Sequence, residues 1–449
     1  MKLHFLFTGL VAVVLCGSVM PAWSADGAGL RVLPAEVALK GNFAQTQLLV
    51  SPMTEPMSDR VTDLTSACAY ASSNDAVVTV TPAGRLIPRG NGTAIITVTK
   101  DSLIGQAPVT VSDVSDAPLV DYYEQVRPVL VKAGCAMAAC HAAQHGQGGF
   151  KLTVFGFDAA ADRGAMVREG LGRRINLLNP KESLLLRKPT METPHSGGRR
   201  LKTSSRDYEL LAAWIASGAP NPAAKEPLIE KLVVTPNERV GDPGFKQQLR
   251  VEAFYAGQPP RDVTAWCRFD SLDEGVVQVT GDGLCTVTGR GQAPVIVRFE
   301  GQADLCTYVI PYGPPATLAG WVDQNFIDTL ATEKFRELGI EPSGLCDDLT
   351  FLRRIFLDAT GTLPTAEEIA EFAADTDPQK RWKWIDRVLG LSDHPQRSIY
   401  NDRYASFWTL KWSDLLRNNS RDLQDQGMWA LHNWIKEQFR ANVTFDKFV

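Results

Sequence analysis

Residues 63–98 read DLTSACAYASSNDAVVTVTPAGRLIPRGNGTAIITV, and residues 262–297 read DVTAWCRFDSLDEGVVQVTGDGLCTVTGRGQAPVIV. The two stretches align without a gap at a constant offset of 199. Asp63, Thr65 and Cys68 fall on Asp262, Thr264 and Cys267; Gly84, Gly90, Gly92 and Ala94 fall on Gly283, Gly289, Gly291 and Ala293. The shared pattern is VVxVxxxGxxxxxGxGxAxIxV, with Val295 standing for Ile96. Alternating β-branched residues give strands with one buried face, and the glycines sit where chain reversals need positive φ. The repeat predicts two small all-β sandwiches, over residues 28–114 and 229–313.

Between them, residues 118–222 have a different character. They carry 14 Lys+Arg against 9 Asp+Glu, in a chain whose net charge is −5. A basic module in an acidic chain suits docking to an acidic partner, and equally a plain solvated face. Its centre is GCAMAACHAAQHGQGGF, residues 134–150. Two thiols, Cys135 and Cys140, with His141 directly after the second, are what covalent haem attachment needs. The thiols add to the vinyl groups, and the histidine becomes an axial iron ligand. The spacing is C-x4-C-H rather than the usual C-x-x-C-H. Residues five apart on an α-helix are turned about 140° from each other, so both thiols face one ring only if the segment leaves regular helix. A Cys135–Cys140 disulfide, or metal ligation without haem, remains an alternative. Helices are expected over residues 122–132, with Pro128 near the first turn, and from Ser205 as N-cap to Ser217, with Gly218 closing it. Residues 151–158, KLTVFGFD, read as extended. His145, before a run of glycines, reads as a solvent-facing loop residue.

These residues resemble the planctomycete cytochrome-c-like module. The likeness rests on GCxxxxCHxxxxGxGGFxL, GRRIN, the P-x-x-S-L-L-L run, P-H-x-G-G and W-I-x-x-G-A. The resemblance implies a small, mainly α domain carrying haem c, with His141 as proximal ligand. The second ligand would come from the loop holding Met191 and His195, and His195 occupies the family's histidine position. Arg173, Arg174 or Arg199 would pair with haem propionates. The flanking repeats resemble bacterial Ig-like group 2 domains, which act as spacers or adhesive units.

After Pro314-Pro315 the pattern turns helical, and seven of the ten tryptophans lie in 320–449. Helices are expected at 321–338, 349–357, 366–374 (opened by a Thr365/Glu368 capping box), 378–390, 402–417 and 426–442. RRIFLDATGTLPT at 353–365 and FWTLKWSDLLR at 407–417 resemble the uncharacterised, DUF1549-type helical domain that follows the cytochrome-like module in planctomycete secreted proteins. That family's pattern runs past Val449, so a further C-terminal segment is expected. Asp358 reads as a turn residue, Arg353 and Arg354 as buried ion-pair partners, and His394 and His432 as structural.

Lys2, an apolar core over residues 5–16 and small residues near Ala25 make residues 1–25 a signal peptide. An exported protein follows, in the periplasm or at the cell surface, with no transmembrane segment after cleavage. Export permits disulfides, and one is expected among Cys267, Cys285 and Cys306. Cys68 reads as a buried small residue. Composition, 44% hydrophobic and 22% charged, is ordinary for globular domains and gives no reason to expect nucleic-acid binding. No G-x-S-x-G, H-E-x-x-H or P-loop occurs. The leading expectation is electron transfer through one haem c to a redox partner protein. The alternative is a haem-free surface protein binding glycans or proteins, with the cysteines as a clip. A third is an enzyme whose site lies partly beyond Val449.

Overall fold

The structure is a computed structural model that describes residues 29–391 and 393–449. The expected signal peptide, residues 1–25, lies outside them. The chain is multidomain, with a β-rich unit that ends at Glu341 and a helical unit, Pro342–Val449. Among the described residues no helix is long and apolar enough to cross a membrane.

The repeat becomes two β-modules of one topology. In the first, Val37–Lys40, Leu103–Ser112, Gly92–Lys100 and Ala69–Ser72 form a sheet in that order; the first pair is parallel and the others antiparallel. Thr46–Gln47, Arg85–Pro88 and Val78–Val80 form a second sheet, and Leu30–Leu33 pairs with Leu49–Pro52. The second module repeats the order with Glu238–Val240, Gln302–Ile310, Gly291–Phe299 and Arg268–Ser271. Period two decides which side chains go inside: Ala94, Ile96 and Val98 are buried, as are Ala293, Val295 and Val297. Gly84 and Gly283 have φ of 74° and 81°. A Cβ on either would lie 2.8 Å from the equivalent aromatic, Tyr70 or Phe269, so only glycine fits the turn.

The modules pack on each other reciprocally instead of holding the middle of the chain at a distance. Asp63 accepts the Gln248 N–H at 2.6 Å, and its repeat mate Asp262 accepts the Gln47 N–H at 2.9 Å. Arg250 pairs with Asp262 at 3.1 Å, and Arg85 reaches across to Asp282 at 3.1 Å. One carboxylate from each module thus caps a strand-edge donor of the other, as in an isologous dimer.

Residues 118–222 fold as short helices and turns. A π-helical turn, Tyr122–Val126, runs into the helix Arg127–Lys132 with Pro128 in its first turn. Ala159–Val167, Leu184–Arg187 and Arg206–Ala216 follow, the last capped by the Ser205 hydroxyl. The extended reading of KLTVFGFD is corrected. Asp162 draws in the Thr153 amide at 2.6 Å and its hydroxyl at 2.9 Å, and Val154–Gly156 becomes a tight turn with Phe155 at φ 56°. This segment shares one apolar core with the second β-module, joining Tyr122, Trp214 and Leu211 to Trp266 and Val297. Lys132 donates to the Ala265 carbonyl at 2.6 Å, Glu124 pairs with Arg261 at 2.8 Å, and Arg127 bridges Glu226 and Glu300.

The expected disulfide in the second module is also corrected. Cys267, Cys285 and Cys306 are free, buried thiols packed in its core. Burial pushes Cys285 up to about 12. They act as small apolar side chains.

The helical unit begins at Pro342, while the helix Phe326–Leu338 belongs with the β-rich unit, tied by the Tyr312 amide to the Leu338 carbonyl at 2.8 Å. Leu352, Phe356, Phe372, Trp384, Val388 and Tyr400 form the core of the second unit. Thr365 and Glu368 make the capping box of Ala366–Ala374. Arg387 binds Glu371 through both guanidinium nitrogens and donates to the Tyr400 hydroxyl at 3.0 Å. Two readings change here. Arg353 and Arg354 are exposed, and Asp358 lies inside the helix Asp348–Thr360, because the left-handed Gly361 ends that helix later than the sequence suggests.

Candidate functional site

A cavity of about 450 Å³ opens in the segment 118–222, within the usual range for small-molecule and cofactor sites. Its floor and walls are apolar, with Val129 and Leu130 from the first helix, Leu185, Leu201 and Leu211. Cys135, Cys140, His141 and His195 all line it. The helix ends at Lys132, and residues after it run in turns. The Cys135 amide closes on the Leu130 carbonyl at 2.9 Å, Cys140 on Met137 at 2.9 Å and His141 on Cys135 at 3.1 Å. This is how a C-x4-C spacing brings both thiols to one wall.

The two histidines, 54 positions apart in the chain, face each other with ring centres 6.1 Å apart and planes 18° from parallel. His141 Nδ1 lies 3.0 Å from the Phe150 carbonyl, and His195 Nδ1 lies 2.9 Å from the Gly198 carbonyl. A carbonyl only accepts, so each Nδ1 carries a proton. Burial holds His141 below the ordinary histidine value, which keeps it neutral at pH 7. The Cys135 thiol is pushed up to about 11 by burial and by Cys140 beside it. Both cysteines are free thiols.

The remaining expected residues divide. Arg173 lines the exposed rim. Arg174 is buried and engaged by three backbone carbonyls, of Ala165 at 2.7 Å, Glu169 at 3.0 Å and Gly149 at 2.7 Å. Met191 has φ of 67°, is 43% exposed and does not line the cavity, nor does Arg199. Arg200 and Lys188 occupy the rim instead. Sequence reasoning missed both; a second arginine adjoining Arg199 was the available signal. His145 is exposed. Among the described residues no group of three or more His, Cys, Asp or Glu side chains converges to hold a metal ion.

Residues 326–449 match one family. It is described as PSCyt2, a protein of unknown function (DUF1549). No curated protein matches the chain. Among solved structures the chain is similar to the surface-layer protein SbsC, domains 1–6, at 11% identity, covering 60% of this chain and 24% of that one, with a TM-score of 0.16. Domains 5–6 of SbsC match at 10% identity over 63% of this chain and 96% of theirs, with a TM-score of 0.24. The protocadherin γB4 extracellular domain matches at 10% identity over 63% and 34%, with a TM-score of 0.14. The chain spans about a quarter of the first S-layer chain.

Proposed function

We propose that the protein is an exported electron-transfer protein whose segment 118–222 is a cytochrome-c-like domain holding one haem c, flanked by Ig-like modules over 28–114 and 229–313. The observation that carries the reading is the convergence of Cys135, Cys140, His141 and His195 on one apolar cavity. The donor set fits the group. His141 and His195 line the same cavity with ring centres 6.1 Å apart, so both imidazoles are available to one cofactor there. A bare ion of the zinc type wants about four protein ligands, whereas haem iron takes two axial ones.

In this reading the Cys135 and Cys140 sulfurs would hold the cofactor as thioethers, and the His141 and His195 imidazoles would be its iron ligands. The Phe150 and Gly198 carbonyls fix both rings through Nδ1–H, as carbonyl partners commonly fix ligating histidines. Arg173, Lys188 and Arg200 stand at the mouth to meet carboxylates. Leu185, Leu201 and Leu211 make the cavity walls apolar. A bound haem supplies one-electron redox chemistry at its iron. Ligation by two histidines would suit electron transfer to a partner protein docking on the basic surface.

The test is an absorption spectrum of the chain co-expressed with a c-type maturation system, followed by haem staining on a denaturing gel. A Soret band with haem retained through denaturation, lost in Cys135→Ala, is the expected result. Colourless protein overturns the reading and favours a haem-free surface role.

A further inference from the structure

The Arg174 guanidinium lies against the Phe150 ring at 4.7 Å while its nitrogens hold the Gly149 carbonyl and the two carbonyls of Ala165 and Glu169. Phe150 in turn packs on the His141 ring, with centroids 4.5 Å apart, and its carbonyl takes the His141 Nδ1–H. The chain segment between is permissive: Gly146, Gly148 and Gly149 have φ of 66°, 64° and 70°. The loop carries its own turn bonds, Phe150 N–H to the Gln147 carbonyl at 3.2 Å and Leu152 N–H to the His141 carbonyl at 2.8 Å, and Arg174 ties the turn they form to the rest of the domain. Its anchor there is the end of the helix Ala159–Val167.

We infer that Arg174 is a positioning residue: acting through Phe150, it fixes the orientation and the tautomer of His141. The inference deepens the haem reading and rests on it for its consequence at the iron, while the chain of contacts from Arg174 to His141 stands without the cofactor. Arginine suits the role because its planar fork reaches three separated carbonyls while its flat face covers an aromatic ring; a lysine ammonium, with its donors on one atom, does not span the same three carbonyls from above the ring. His195, held by Gly198 within its own loop, does not depend on Arg174.

The experiment labels histidine with ¹⁵N in the full chain expressed without haem and reads both imidazole tautomers at a pH where both are neutral. Wild type shows His141 and His195 as Nδ1–H. In Arg174→Lys the His141 bias falls about fivefold, the worth of one hydrogen bond, and His195 is unchanged. Phe150→Leu gives the same selective change and carries the test if Arg174→Lys does not fold; adding the second substitution to the first changes little more. Arg168→Gln, an exposed side chain outside the cavity, leaves both rings as they were. In haem-loaded Arg174→Lys, haem content holds while absorption moves to a mixture of spin states. An unchanged His141, or equal loosening of both rings, overturns the inference. Wild-type protein without haem removes the haem reading and leaves the tautomer result to decide Arg174.

Discussion

Replacing Asp262 by alanine tests the reciprocal packing of the β-modules. Asp262 is buried, accepts the Gln47 amide at 2.9 Å and the Thr264 amide at 3.0 Å, and pairs with Arg250 at 3.1 Å. Truncation leaves two buried amide donors without an acceptor, at about 1–3 kcal/mol each. Arg250 keeps Glu252 at 2.6 Å, so its charge is not stranded. Burial raises the Asp262 carboxyl above the ordinary range, so removing it also relieves a desolvation penalty. The net expectation is a loss of about 3 kcal/mol, some 150-fold in the folding equilibrium. Asp63→Ala, which frees the Gln248 amide, costs a similar amount. The double variant costs less than the sum, because the first substitution already opens the shared interface. Urea titration followed by tryptophan fluorescence gives these values, with Trp266 beside the site as reporter. A loss below about 1 kcal/mol for Asp262→Ala, or full additivity with Asp63→Ala, refutes the reasoning.

Other outcomes follow from single sites. Burial pushes the Glu300 carboxyl up to about 7 although Arg127 lies against it. The unfolded chain therefore loses this proton first, and stability falls as pH rises from about 4.5 to 7; urea midpoints of Glu300→Gln should lose that slope, and a wild-type slope of opposite sign contradicts it. Gly84→Ala meets Tyr70 at 2.8 Å in a positive-φ turn and should cost about 2 kcal/mol, whereas Gly301→Ala, at φ 79° with open space around it, should cost about 1 kcal/mol; equal thermal shifts would count against the close-approach argument. Thr365→Ala removes the capping box of Ala366–Ala374 and should lower helical-unit stability by about 1 kcal/mol in circular-dichroism melts.

What the sequence carried was local. Strand positions repeat at one offset because the alternation at Ala94–Val98 and Ala293–Val297 is written in consecutive residues. The Ser205 cap and the Thr365 capping box are likewise three-residue signals. Tertiary capture was not legible. KLTVFGFD has strand composition, yet Asp162 from the next helix bends it. Arg174 sits beside Arg173 in one motif, but only the fold sends one guanidinium inward to three carbonyls and leaves the other on the rim. Nothing in the repeat says that Asp63 and Asp262 would each serve the other module's strand. Export permits a disulfide among Cys267, Cys285 and Cys306; their burial as free thiols is a packing outcome.

The central claim is that Cys135 and Cys140 hold a haem in the cavity, and the intact mass of the purified chain tests it most directly. Co-expressed with a c-type maturation system and denatured, the chain should carry the added mass of one haem, mapped to the peptide with Cys135 and Cys140 and absent from the Cys135→Ala/Cys140→Ala variant. A chain of unmodified mass, or one lighter by two hydrogens at that peptide, contradicts the account.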